Sequence, residues 1–271
     1  YISAGKRKPA QFPSGGDRFS MRRNLKLVLA YDGADFQGWQ VQPGLRTVQG
    51  ALADALARVT PARVLPQGSG RTDAGVHALA QVASFELDAA IPTENLQKML
   101  NHALPASVRV LSVEEMPAGF HARHSARAKS YLYRIFRGAV CPPFLARYVY
   151  HHPYPLDEVA MQRTAPLVEG EQDFTSFAAV DPERGQEERE KSNRREVFSS
   201  VWERAGDELV YTVRGSGFLH HMVRNLVGTF LLVGKGSLDE RGLKRVLELR
   251  NRSAAGATAP ASGLYLKSVE Y

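Results

Sequence analysis

The sequence predicts an α+β fold with an antiparallel or mixed sheet, arranged as two related halves. Three observations point there. Strand-like segments often follow one another directly instead of alternating strictly with helices. Strand and helix signals fall into two sets with a boundary near Pro117. The 271 residues, 44% hydrophobic and 23% charged, suffice for one large core or two smaller ones.

Residues 1–20 carry Gly, Ser, Pro and Lys/Arg without apolar periodicity, so a disordered leader or an extension is expected, with Met21 as the natural start. Asn24–Tyr31 is strand-like. Val48–Val59 has helical periodicity behind Thr47 as N-cap. A strand follows over Val76–Leu87, a helix over Thr93–His102 with Thr93 capping, and a short strand over Ser107–Val113. These elements make up a first α+β domain, residues 21–117. The second, 118–271, opens with Arg127–Phe136, whose alternation gives a strand with two usable faces. A helix is expected over Asp157–Val168, strands over Glu196–Glu203 and Glu208–Arg214, helices over Leu219–Val233 and Asp239–Leu249, and a last strand over Gly263–Glu270. The segment Asp181–Arg195, dense in both charges and without large apolar side chains, predicts a surface loop.

The net charge of +7 is unevenly placed. Residues 1–23 hold Lys6, Arg7, Lys8, Arg18, Arg22 and Arg23 against Asp17, so the rest of the chain is close to neutral. High basicity alone is therefore poor evidence for a nucleic-acid partner. Two acid-free stretches say more: Pro117–Leu156, with Arg123, Arg127, Lys129, Arg134, Arg137 and Arg147, and Leu209–Leu238, with Arg214, Arg224 and Lys235. Both interleave aromatics and suit phosphates, or simply a solvated surface. The single Cys141 excludes a disulfide framework and a multi-cysteine zinc site, and such usage suits a reducing cytosol. The longest apolar run is too short for a membrane helix.

The most unusual segment is Gly68-Ser69-Gly70-Arg71-Thr72-Asp73-Ala74-Gly75-Val76-His77. Its glycines permit close backbone approach around a carboxylate and a guanidinium. It lacks the Gly-Lys-Ser/Thr of a phosphate loop and the third glycine of a dinucleotide fingerprint. Either a tight turn in which Thr72 or Asp73 bonds backbone amides, or a chemical site, would use such residues. The pairs His121/His124, His151/His152 and His220/His221 lack any metal-ligating pattern and read as exposed or core histidines. In the helix over Leu219–Val233, Leu219, Met222, Val223, Leu226, Val227, Phe230 and Leu231 form an apolar stripe. Arg224 lies at its edge, with Gly228 one turn on leaving room above it. It either snorkels to water or meets a carboxylate.

Several motifs, in order, resemble the tRNA pseudouridine synthase A family. They are Tyr31-Asp32-Gly33-Ala34-Asp35-Phe36-Gln37-Gly38-Trp39-Gln40, Arg46-Thr47-Val48-Gln49-Gly50, Gly70 through Ala78, Phe120-His121-Ala122-Arg123, Lys129-Ser130-Tyr131-Leu132-Tyr133, Phe218 through Thr229, and Ala259 through Leu264. The resemblance implies two related α+β domains sharing a continuous, mostly antiparallel sheet, helices on one side and an active-site cleft between domains. It implies a cytoplasmic homodimer that isomerises uridine to pseudouridine in the anticodon stem-loop of tRNA, at positions 38, 39 and 40, with no cofactor and no metal. It implies Asp73 as catalytic carboxylate, Arg224 as its partner, and Tyr131 as the residue that stacks on the base and handles a proton at C5. Leu264 would pack on the base's other side, and Arg71 would fill the space of a flipped nucleotide. A silent RNA-binding module would share the basic stretches yet not need Asp73, Arg224 and Tyr131. A glycosidase would want a second functional acid, for which Asp32 and Asp35 are the candidates.

Overall fold

A computed structural model describes residues 22–60, 63–180 and 192–271. The expected leader lies outside the described residues, as does the charged loop up to residue 191; its end, Arg194–Arg195, opens a strand. Ten strands form one sheet: β1 (Arg22–Tyr31), β2 (Gln67–Gly68), β3 (His77–Asp88), β4 (Val108–Met116), β5 (Ala128–Phe136), β6 (Tyr150–His151), β7 (Gly170–Asp173), β8 (Arg194–Ala205), β9 (Glu208–Gly215) and β10 (Leu264–Glu270). Their order is β4-β1-β3-β10-β5-β9-β8-β7, with β2 beside β3 and β6 beside β5. Only β3–β10 and β5–β6 pair in parallel. The strand nearest the C-terminus thus sits between the two halves and makes their sheets continuous.

Antiparallel partners place their side chains on a common face. Leu25, Leu27 and Leu29 of β1, Tyr133 and Ile135 of β5, and Leu209, Tyr211 and Val213 of β9 are fully buried on one face of this sheet. Among the described residues, five helices stock that core: α1 (Val48–Val59), α2 (Thr93–Ala103), α3 (Glu158–Thr164), α4 (Met222–Gly234) and α5 (Glu240–Leu249). Helix α1 starts where expected, the Thr47 hydroxyl accepting from Gly50 N, and buries Val48, Leu52, Ala55 and Leu56 at helical spacing. Asp239 caps α5 in the same way.

Four expectations shift. Pro92, not Thr93, precedes the first turn of α2, and no side chain caps it. The helix expected to run to Val168 stops at Thr164 and tightens into a 3-10 turn, Ala165–Val168, because Pro166 has no N–H to continue the ladder. Helix α4 begins at Met222; Leu219 to His221 form the turn that leads into it. Short strands β2, β6 and β7 had no periodic signal at all.

His77, at the head of β3, ties the halves together. Its Nδ1 accepts from Gly33 N at 3.1 Å, so Nε2 carries the proton and donates to the Arg147 carbonyl at 3.1 Å. The ring stacks on Tyr265 of β10, centroids 4.7 Å apart. Burial pushes this imidazole below its ordinary pKa despite Asp32 nearby, and burial does the same to His152. The unfolded chain then takes up protons near pH 6.5 that the fold refuses, so stability falls as pH drops below about 6.5. Calorimetry between pH 7 and 5.5 should show a falling Tm, with a shallower slope in His77→Gln. A Tm independent of pH in that range would contradict it.

Candidate active site

The loop between β2 and β3 holds its shape through buried contacts. Ser69 N donates to Val82 O, the Tyr31 hydroxyl lies 2.8 Å from Thr72 Oγ1, and Gln81 Nε2 donates to Gly70 O at 3.0 Å. The segment after β1 presses against it. A Cβ on Gly33 would sit 1.9 Å from Val76 O, and one on Gly38, whose φ is +82°, would sit 2.5 Å from Thr72 O. Only glycine allows that approach. The Thr72 hydroxyl is thus engaged by Tyr31, and the Asp73 side chain turns away from the local amides towards α4.

There it meets Arg224. Nη1 donates to Asp73 Oδ2 at 2.8 Å, and Nε donates to the Ala259 carbonyl at 2.8 Å. Both side chains keep under a quarter of their exposure, so the pair is only partly desolvated. The space above Gly228 is filled by backbone: Ala257 O lies where a Cβ would be, at 1.8 Å. That approach lays the 256–259 segment across α4 and brings Ala259 O to Arg224.

The pair stands in an open cleft of about 780 Å³. Tyr131 and Leu264 line it, as do Arg71, Lys129 and Phe218. Tyr131 is 8% exposed and meets Phe218 edge-on, centroids 5.0 Å apart. Burial first, then Tyr31 and Asp73, push its phenol far above the ordinary range. Lys129, from the same strand, donates to Ser69 O at 2.6 Å. Burial, with Arg123 and Arg195 nearby, lowers its pKa to about 8. All five residues singled out in the sequence, Arg71, Asp73, Tyr131, Arg224 and Leu264, therefore share one cleft. Asp32 and Asp35 do not; they pair with Arg147 elsewhere.

The histidine expectation needs correction at one pair. His220 and His221 stack at 4.0 Å and bring their Nε2 atoms to 3.6 Å from Asp73 Oδ1 and 3.3 Å from Oδ2. Sequence spacing missed this because the contact spans some 150 residues. Among the described residues, Asp73, His220 and His221 are the set of three metal-capable side chains found within 4.8 Å of one another. The donors fit a cation poorly, because a guanidinium already occupies Oδ2.

A cleft walled by cations and aromatics, with one carboxylate at its centre, suits a nucleic-acid base and marks a nucleic-acid-modifying enzyme as the class. Residues 27–125 and 165–271 match the family model described as tRNA pseudouridine synthase. A tRNA pseudouridine synthase A from Solibacter usitatus is 52% identical over 92% of this chain and all of its own. Those of Lacticaseibacillus casei and Brevibacillus brevis are 43% and 44% identical, each over 92% of this chain and 99% and 100% of theirs. The chain belongs to the tRNA pseudouridine synthase family.

The pair can be tested directly. Arg224→Gln should lower single-turnover rates about 100-fold or more, since it leaves a half-buried carboxylate without its charge partner. Arg224→Lys should recover only part, because an ammonium cannot serve Asp73 and Ala259 O as the planar fork does. Gly228→Ala should cost about 2 kcal/mol or more in denaturant unfolding, as backbone has no room to yield. A parental rate in Arg224→Gln would make the pair incidental.

Proposed function

We propose that the protein isomerises uridine to pseudouridine in the anticodon stem-loop of tRNA, at positions 38, 39 and 40, with Asp73 as the catalytic carboxylate. The observation that carries this is the Asp73–Arg224 ion pair beside Tyr131 in the cleft. The reaction breaks the N1–C1′ bond, leaves the electron pair on N1, turns the freed uracil and joins C5 to C1′. The C5 proton departs and N1 gains one, so the atoms balance within the nucleotide. The chemistry calls for no redox partner, and the proposal includes no cofactor and no metal.

Each residue has a part in that sequence. Asp73 stabilises or captures the sugar at the moment its bond to the base breaks. Arg224 holds the carboxylate in place through its guanidinium. Tyr131 stacks on the uracil while Leu264 packs its other side. Arg71, exposed at the cleft, takes the space vacated when the uridine leaves its stack, a step costing a few kcal/mol. The chain works as a cytoplasmic homodimer in which both subunits hold the tRNA, with domains 21–117 and 118–271 forming the walls of each cleft. Among the described residues, no helix is long and apolar enough to cross a membrane.

Pseudouridine mapping in unmodified tRNA transcripts tests the activity, and size-exclusion light scattering tests the dimer. Asp73→Asn should abolish turnover while tRNA binding stays near parental, because phosphate contacts dominate affinity. Residual turnover within tenfold of the parent would remove Asp73 from the mechanism. Binding should weaken steeply with salt, the slope of log K on log salt being about −0.7 to −0.9 per contacted phosphate. A flat salt response would contradict the cationic cleft. Deleting residues 1–20 should cost modest affinity and leave the modified positions unchanged.

A further inference from the structure

The resemblance gives Tyr131 a proton to handle at C5, a task its surroundings oppose. Once C5 has bonded to C1′, its hydrogen must leave as a proton, and N1 must receive one. Tyr131 lines the cleft but is poorly suited to take it, because burial first, then Tyr31 and Asp73, raise the pKa of its phenol. A base that is neutral at working pH and keeps a nitrogen open is required, close to the carboxylate.

His221 meets those conditions. It precedes the first residue of α4 with φ 59° and ψ 4°, in the left-handed region that costs a non-glycine residue strain. That backbone turns the ring towards the cleft, which it lines, with Nε2 3.3 Å from Asp73 Oδ2. Nε2 meets that carboxylate, while Nδ1 makes no hydrogen bond among the described residues, although the side chain is only 27% exposed. A half-buried imidazole set against a carboxylate through one nitrogen keeps the other open for a proton. His220 differs: its Nδ1 is 3.2 Å from the Val180 carbonyl, and its backbone is unstrained.

We propose that His221 is a catalytic base and acid of this reaction, taking the proton from C5 and returning it to N1. The proposal rests on the pseudouridine-forming activity. The C5–H electron pair becomes the C5=C6 double bond, and the N1=C6 pair moves onto N1 as N1 takes the proton. His221 ends as it began. Asp73 supports the step, since the transient imidazolium forms beside its carboxylate once C1′ is joined to C5 and the carboxylate is free again. The surroundings keep the resting imidazole neutral. Burial lowers its pKa most, Asp73 opposes this, and His220, Arg224 and Arg252 add to the lowering.

The test uses the full chain, tRNA transcripts deuterated at uridine C5, and His221→Gly, whose backbone accepts the same φ without strain. Single-turnover rates should fall about 10²- to 10⁴-fold. A C5 isotope effect larger than the parent's should emerge as proton removal becomes limiting. Added imidazole should restore much of the rate, less so below imidazole's own pKa. His221→Asn, also tolerant of this backbone, should be slow but not rescued, because its amide blocks the space and cannot take the proton. A parental rate in His221→Gly, or a loss that imidazole leaves untouched with no isotope effect, would overturn the role. So would an enlarged isotope effect in Tyr131→Phe alone. If His221→Gly does not bind tRNA, His221→Asn still decides, since a parental rate or an unchanged isotope effect there refutes the proposal. A parent chain that forms no pseudouridine would instead refute the activity on which the proposal rests.

Discussion

The cleft depends on one guanidinium that crosses from the second half of the molecule to the first. Arg224 is fixed from two sides, by Asp73 Oδ2 and by the carbonyl of Ala259. A freely rotating arginine would lose about 2 kcal/mol of rotamer entropy to sit there. The carbonyl lowers that demand by aiming the fork before any carboxylate is considered. Gly228 and Gly256 make this possible, since the 256–259 segment and α4 approach backbone to backbone at both positions. The same segment then runs through a 3-10 turn into β10, the strand that joins the two halves of the sheet. One crossing therefore aims the arginine, places Leu264 at the cleft and closes the sheet.

Asp73 is held no less indirectly. Nothing polar on its own loop caps its side chain; the loop is clamped from below by Gln81, whose amide meets Gly70 O and whose carbonyl accepts from Ser69, and by Tyr31 against Thr72. The Ser69–Gln81 and Tyr31–Thr72 bonds are buried and the Gln81–Gly70 bond partly so, which makes each costly to leave half made. A carboxylate carried on such a frame loses little freedom when a substrate arrives. Such preorganisation favours electrostatic stabilisation of a bound group, and Gln81 and Tyr31, which are not among the cleft's lining residues, supply it from behind.

Period-two and 3.6-residue patterns made most of this architecture legible. The long strands and α1, α2, α4 and α5 fall within a few residues of their expected ends, because each buries a continuous apolar stripe. The 3-10 break after Thr164 was also in the sequence, written as Pro166 inside a helical pattern. What the pattern could not carry was pairing across distance. A parallel contact of β10 with β3 comprises only Tyr265 opposite His77 and Leu266 opposite Ala78, too short to leave a signature. Arg224 at a stripe edge was compatible with water or with a partner, and the choice is made by Ala259 and Asp73, 35 and 151 residues away. His220 and His221 failed for the same reason: two adjacent histidines say nothing until a carboxylate is folded against them.

Charge placement completes the argument from the molecule's own economy of acids. The body of the chain is nearly neutral, so an electropositive cleft exists only because acids are kept out of it and engaged elsewhere. Glu208 binds Arg134 on β5 and Glu270 binds Arg214 on β9, while Asp32 and Asp35 share Arg147 away from the cleft. In the cleft Asp73 is the lone carboxylate among the lining residues, against Arg71, Arg123, Lys129 and Arg224. Lys129 sits within that excess: burial first, then Arg123 and Arg195, lower its pKa, and with no carboxylate in ion-pair range among the described residues its ammonium leans on a backbone carbonyl. A polyanion entering such a cleft relieves the repulsion between its walls instead of competing with an internal partner. The single acid that remains is therefore not a counter-ion to the cleft. It is shielded by Arg224 from the approaching phosphates, and that shielding lets one carboxylate face a negatively charged substrate.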